Sequence, residues 1–329
     1  MVIAVDAMGG DHAPGEIVKG AVRGARLHNV DVVLVGDEAR IRQAASGIKL
    51  DSAAVRIRHA SQVIAMDEEV DAVRTKKDAS VVVAASMVAS GEADAMVSVG
   101  NTAAAMAIAT LKLGRIPGID RPAIATGWPG RHGPTILIDA GAVADCTVDN
   151  LVQFAVMGSV YAEKALGIPK PRVALLSIGE EPCKGNELTR AAHQALAQAP
   201  INFVGNVEGR HLFVSAADVV VTDGFTGNVA LKAAEGLAEH VVYLIREELR
   251  RCPLNWIPVV FLLPFIKRVK RRLDYSEYGG APLLGVNGVC IIGHGRSNAN
   301  AVANAVRVAK EAVNQRVIDT IRDAMSAVR

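Results

Sequence analysis

Short apolar runs recur along this chain, at 2–5, 32–35, 55–57, 95–99, 135–138, 173–178, 203–204, 219–221 and 289–292, with alanine-rich helical stretches between them at 80–90, 102–113, 151–165, 187–198 and 228–251. Several runs are uninterrupted by polar residues, the pattern of strands buried on both faces. Parallel strands cannot be joined by tight hairpins and need helical crossovers. The alternation therefore predicts an α/β fold, a three-layer, mostly parallel sheet with helices on both faces. With 329 residues the chain can bury roughly three quarters of its unfolded surface. No Pro-, Gly- and Ser-rich linker, long repeat or low-complexity tract divides it, so 1–329 reads as a single α/β domain of one or two subdomains.

Composition narrows the function classes. Basic residues number 36 and acidic residues 34, for a net charge of +2, and aromatics make up 4%. That provides neither the field nor the stacking surface that nucleic acid requires. Cys146, Cys183, Cys252 and Cys290 lie far apart with no C-x-x-C pair, so neither a disulfide framework nor a metal site is expected and a reducing, cytoplasmic location is. The first run meets Asp6 without a basic segment before it, which makes it a strand rather than a signal peptide. No apolar run approaches the roughly 20 residues of a spanning helix.

Chemistry-bearing residues concentrate where the runs end. The first breaks into Asp6-Ala-Met-Gly9-Gly10-Asp11-His12-Ala-Pro14. Gly9 and Gly10 permit close approach of a ligand to the backbone, Asp6, Asp11 and His12 place ionisable groups beside it, and Pro14 suits a first helical turn. An ordinary turn with Asp11 as helix cap is the alternative. Similar loops stand at 36–37, 100–102, 139–141, 179–186, 223–228 and 293–298, and in an open parallel sheet they would gather at one edge. In Asp223-Gly224-Phe-Thr226-Gly227-Asn228, successive backbone amides opening a helix suit a phosphate or a developing oxyanion, and Asn228 adds a donor. The alternative is a helix start capped by Thr226 or Asn228. Lys184, ahead of Gly185 and Asn186, presents a mobile ammonium to a phosphate, and Arg296 presents a planar fork of donors. Asn101 and Thr102 open another helix, with Asn101 as a possible cap and both as candidate substrate contacts. There is no G-x-S-x-G elbow, no G-x-x-x-x-G-K-[ST] loop and no G-x-G-x-x-G after the first run, so no nucleotide cofactor is expected.

One more segment stands apart. Residues 256–266 are eleven apolar residues broken by Pro258 and Pro264, followed by the basic run 267–272. Too short to span a bilayer, such a tip can dip into one, with Trp256, Ile257, Val260, Phe261, Leu262 and Phe265 toward lipid. Lys267 and Arg268 would meet anionic headgroups at about 1 kcal/mol each. The expectation is a protruding helical hairpin arm near 236–286, contacting membrane or packing against a partner subunit.

Together, the segments 3–14, 99–102, 151–160, 184–187, 205–209 and 223–228 identify a resemblance over essentially the whole length to the PlsX family, the phosphate acyltransferases of bacterial phospholipid synthesis. One departure lies at 139–143, where the family pattern usually ends in Asn and this chain has Val143. The resemblance implies a fold similar to the isocitrate and isopropylmalate dehydrogenases and phosphotransacetylase, and a homodimer. It implies a reaction in which inorganic phosphate attacks the thioester of fatty acyl carrier protein, giving acyl phosphate and free acyl carrier protein. On that basis Lys184 holds phosphate, Asn228 and nearby amides stabilise the thioester oxyanion, His12 moves a proton, and the remaining candidates shape the substrate pocket. A peripheral position on the inner face of the cell membrane would let the product pass to a membrane glycerol-3-phosphate acyltransferase. Rival readings are a phosphotransacetylase-like enzyme using acyl-CoA and a noncatalytic membrane-recruiting scaffold.

Overall fold

The structure is a computed structural model that describes residues 1–48, 50, 54–131, 133–251 and 279–327. The apolar runs become strands β1 Val2–Asp6, β2 Asp31–Gly36, β3 Val55–His59, β4 Ala95–Ser98, β6 Gly133–Ile138, β7 Arg172–Leu176, β8 Asn202–Val207, β9 Val219–Val221 and β11 Val289–Ile292. Two further strands, β5 Ala123–Gly130 and β10 Ala281–Leu284, were not read from the sequence. Gly127, Pro129 and Gly130 interrupt the first, and Pro282 breaks the second. The helices are α1 Gly15–His28, α2 Glu38–Ala44, α3 Ala72–Thr75, α4 Ser80–Ala89, α5 Thr102–Leu113, α6 Val148–Leu166, α7 Glu187–Leu196, α8 Gly224–Arg251, α9 Ala299–Asn314 and α10 Val317–Ala327.

All eleven strands form one sheet in the order β3-β2-β1-β4-β11-β10-β5-β6-β9-β7-β8. Most neighbours are parallel, but β10 is antiparallel to both β11 and β5, and β5 is antiparallel to β6. Three antiparallel pairings in succession reverse the strand direction between the two halves. The polar loops after β1, β4 and β11 consequently leave one edge of the sheet, while those after β6, β7 and β9 leave the other. The expectation that all of them gather at one edge is corrected by this reversal.

Helices α1, α6, α9 and α10 cover one face, where Ile3, Val5, Phe154, Met157, Val302 and Ile321 are fully or almost fully buried. Helices α4, α5 and α8 cover the other. At about 1.5–3 kcal/mol for each large aliphatic side chain removed from water, these layers are the main source of stability. Local signals set the helix ends: Thr147 and Asn150 form a reciprocal capping box at the start of α6, and Gly167 closes its other end in the left-handed conformation. Gly20 of α1 lies against α9 so closely that a Cβ there would stand 2.6 Å from Cβ of Val302.

The span 236–286 expected for an arm contains residues that do not protrude, because Ala281–Leu284 is a strand in the middle of the sheet. The tip residues Trp256, Ile257, Val260, Phe261, Leu262, Phe265, Lys267 and Arg268 lie outside the described residues. Among the described residues no helix is long and apolar enough to cross a membrane.

Candidate functional site

Each half of the sheet ends a strand in a buried aspartate. Asp6 closes β1, and its carboxylate accepts hydrogen bonds from the hydroxyls of Ser98, at 2.8 Å, and Ser80, and from the amides of Met8 and Gly9. Burial pushes its carboxyl above the ordinary range against the pull of those donors. Gly9 rests on the next strand's turn, where a Cβ would lie 2.8 Å from Cα of Gly100. Gly10, at φ +95°, turns the chain so that the amide of Asp11 donates to the carbonyl of Gly295 at 2.9 Å. The helix that follows has Pro14 at its N-cap with no side-chain cap, so Asp11 does not cap it.

Asp139, after β6, is fully buried and accepts from four amides: Ile124 at 2.9 Å, Gly141 at 3.1 Å, Ala142 at 2.9 Å and Val143 at 2.7 Å. Here too burial raises the carboxyl pKa and the amides oppose the shift. The start of α8 is seated on this turn. Gly224 donates to the carbonyl of Val143 at 2.8 Å, and a Cβ on Gly227 would overlap the carbonyl oxygen of Asp139. Asp223 caps α8 by accepting from the amide and hydroxyl of Thr226, each at 2.8 Å. The cap is thus Asp223 rather than Thr226 or Asn228.

From that seat α8 crosses the sheet face beside β5, and a cavity of about 440 Å³ lies between them and the loop after β11. Alternate residues of a strand share a face, so β5 contributes Ile124, Thr126 and Trp128. Residues three and four apart share a helix face, so α8 contributes Asn228, Leu231, Lys232 and Glu235. The remaining wall is His294, Gly295, Arg296 and Ser297, with Asp11 and Thr102 beside them. Trp128 is buried, and its ring meets that of Phe213 edge-on at 5.2 Å. The lining is therefore apolar along β5 and polar where α8 faces the 294–297 loop.

Of the residues singled out in the sequence, Asp11, Thr102, Asn228 and Arg296 line this cavity. Arg296 also donates to Glu239 at 2.9 Å. Asp6, Gly9, Gly10, Asp223, Gly224, Thr226 and Gly227 do not line it, and build the turns that present its walls. Asn101 caps α5 through its side-chain oxygen, 3.0 Å from the amide of Ala104, while its amino group donates to the carbonyls of Ala65, Met66 and Glu68. Asn186 likewise caps α7. Lys184 and Gly185 sit on the loop after β7, at the same sheet edge as the turn that carries Asn228, and the Lys184 side chain is exposed. His12 is exposed beside Asp11.

Lys232, Trp128, His294 and Asp139 were not singled out as site residues. Lys232 was recoverable from its spacing of four from Asn228 on a helical segment. Asp139 was recoverable as the second acidic residue to close an apolar run. Trp128 had no such signal, because the strand carrying it was not recognised. Among the described residues no three His, Cys, Asp or Glu side chains are placed to hold a metal ion.

The sequence model of a family described as fatty acid synthesis protein matches residues 1–320. A relative from Pelotomaculum thermopropionicum, named phosphate acyltransferase, is 54% identical over 100% of this chain and 96% of its own length. Another of that name, from Desulfitobacterium hafniense, is 52% identical over 98% and 97%. Among solved structures, the EutD phosphotransacetylase from Staphylococcus aureus shares the fold, with a TM-score of 0.61 at 15% identity over 95% of this chain and 94% of that one. A 4-hydroxythreonine-4-phosphate dehydrogenase from Klebsiella pneumoniae does so at a TM-score of 0.56 and 13% identity, over 95% and 99%.

Proposed function

This chain belongs to the fatty acid synthesis protein family, and from that membership we propose that it is a phosphate acyltransferase of phospholipid synthesis. In the proposed reaction an oxygen of inorganic phosphate attacks the carbonyl carbon of a fatty acyl thioester. The C–O bond forms, the C–S bond breaks, and acyl phosphate leaves beside a free thiol. Phosphate is itself a competent nucleophile, so the protein's part is position and charge stabilisation rather than a covalent intermediate. The observation that carries this reading is the cavity of about 440 Å³, apolar along β5 and lined with donors along α8.

The acyl chain lies along Ile124, Thr126 and Trp128, a stretch of roughly 13 Å at the rise of an extended strand. Asn228, at the end of the cavity nearest the Asp139 turn, donates to the thioester oxygen as it becomes an oxyanion. Lys184, on the neighbouring loop at that edge, draws phosphate toward it, and His12 beside Asp11 carries protons at the opposite rim. The proposed acyl donor is acyl carrier protein, whose acidic surface would be steered by basic residues and weakened by salt.

A homodimer with a membrane-facing arm is supported by α8 itself. Leu237, Val241, Tyr243, Leu244 and Ile245 are exposed on its outer half, an apolar stretch that stays soluble only if covered. Peripheral attachment to the inner face of the cell membrane would deliver a labile acyl phosphate to a membrane acyltransferase. The deciding experiment supplies acyl carrier protein and acyl-CoA thioesters of one chain length in parallel. Phosphate-dependent acyl phosphate from the carrier-bound donor is the expected result; formation from acyl-CoA alone would favour the phosphotransacetylase-like reading, and formation from neither a scaffold.

A further inference from the structure

Gly205 interrupts β8 with a φ of +99°, and the pairing with β7 gains one residue there: Phe203 stands opposite Val173, but Leu175 faces Asn206 instead of Gly205. A bulge of this kind re-aims the side chain that follows it. Asn206 is buried, and both ends of its amide are used. Nδ2 donates to the carbonyl of Glu181 at 3.0 Å, and Oδ1 stands 2.9 Å from Nδ1 of His193. A carbonyl only accepts, so the amino group must face Glu181 and the amide oxygen must face the imidazole. Nδ1 of His193 therefore carries a proton whether the ring is neutral or charged. The ring of Phe203 meets that imidazole edge-on at 5.2 Å.

The Glu181 carbonyl also accepts from the backbone N–H of Lys184 at 3.0 Å, so one of its lone pairs serves the turn and the other serves Asn206. Beyond the turn, the Ser177 hydroxyl donates to the carbonyl of Lys184 at 3.4 Å, and Arg190 donates to that of Gly185. The stem of Lys184 lies over Gly179, where a Cβ would come within 2.9 Å of its Cγ. Backbone and stem are thus held, yet the side chain is exposed and its ammonium meets no carboxylate among the described residues. Glu180, Glu181 and Glu187 are all close in the chain, but Glu180 instead stands 3.4 Å from Nε2 of His211. Ordering a lysine costs conformational entropy, and no protein group at the charged end offsets it. We propose that Asn206 is a positioning residue, which fixes the 181–184 turn so that Lys184 presents its ammonium to inorganic phosphate. The assignment rests on the reading of Lys184 as the residue that draws phosphate.

The test uses the full-length protein with inorganic phosphate as the probe, and compares wild type with Asn206→Ala, Lys184→Ala, their double variant and His193→Phe. Thermal melts confirm that each is folded; His193 is only half-buried, so His193→Phe keeps the test open if loss of Asn206 prevents folding. Line broadening of the phosphorus-31 signal reports binding without turnover, and steady-state kinetics separates the two substrates. Asn206→Ala should raise the KM for phosphate about fivefold to tenfold, with kcat and the KM for the acyl donor nearly unchanged, and His193→Phe should do so about threefold. In the Lys184→Ala background the loss of Asn206 should add less than about twofold, because both changes remove the same interaction. Unchanged phosphate affinity in Asn206→Ala, or in His193→Phe where Asn206→Ala does not fold, overturns the proposal. Effects that multiply in the double variant also overturn it, as does an equal rise in both KM values, which marks general damage. Wild-type phosphate affinity in Lys184→Ala overturns both the proposal and the role given to Lys184. If phosphate binding follows the expected pattern but no thioester yields acyl phosphate, the positioning role stands and the functional reading fails.

Discussion

Asp6 and Asp139 stand where β1 and β6 end, in opposite halves of the sheet, yet they are held by different partners. Asp6 leans on two serine hydroxyls and two amides, whereas Asp139 is held by four amides alone. A hydroxyl can turn from donor to acceptor when its partner changes, but a backbone N–H cannot. The first turn therefore tolerates a change of charge and the second does not. The second is also the seat of α8, the helix that brings Asn228 and Lys232 into the cavity, so the proposed chemistry would depend on the less forgiving of the two.

The sharpest break in this comparison is Asp139→Ala. Leaving buried amides without acceptors should cost about 3–5 kcal/mol in chemical denaturation and abolish acyl transfer. Gly227→Ala tests the seat itself, since its methyl overlaps the Asp139 carbonyl oxygen. Lifting α8 should cost about 1–3 kcal/mol and lower kcat/KM more than the stability loss explains. Asp6→Asn should cost less, about 1–2 kcal/mol, because Ser80 and Ser98 can reverse their hydroxyls toward the amide. An equal cost for Asp6→Asn and Asp139→Asn would contradict the distinction.

A smaller effect of pH sharpens it further. The folded state holds the Asp6 proton above the ordinary value of 3.8, so it binds more protons than the unfolded chain between the two values. Relative to Asp6→Asn, wild type should gain stability as pH falls through the raised value and level off below 3.8. Denaturant midpoints measured across that range check the sign.

The outer and inner parts of the molecule were not equally legible in the sequence. Uninterrupted runs such as Val32–Val35 and Val219–Val221 announced buried strands, because only burial on both faces removes the polar alternation. The run carrying Trp128 was hidden by Gly127 and Pro129, which in other settings terminate strands. That omission mattered beyond one strand. Without β5 and β10 the reversal of direction is invisible, and the six polar loops appear to share an edge. Arg296 and Asn228 stand out as a cation and an amide in glycine-bearing strand-to-helix turns, and both line the cavity, whereas Asn101 and Asn186, placed beside glycine in the same way, serve as helix caps. Lys232 was not legible, since a lysine within a helical segment ordinarily covers a solvated face; only the packing of α8 against the 294–297 loop turns it inward.

The central claim is that the space between β5 and α8 receives the acyl chain, and filling it tests this directly. Ala234 lines the cavity between Leu231 and Ala238 on α8. Ala234→Phe should lower kcat/KM for long acyl donors far more than for short ones, because each methylene kept from its site forfeits about 0.8 kcal/mol, or nearly fourfold. A uniform loss across chain lengths, or none, would contradict the account.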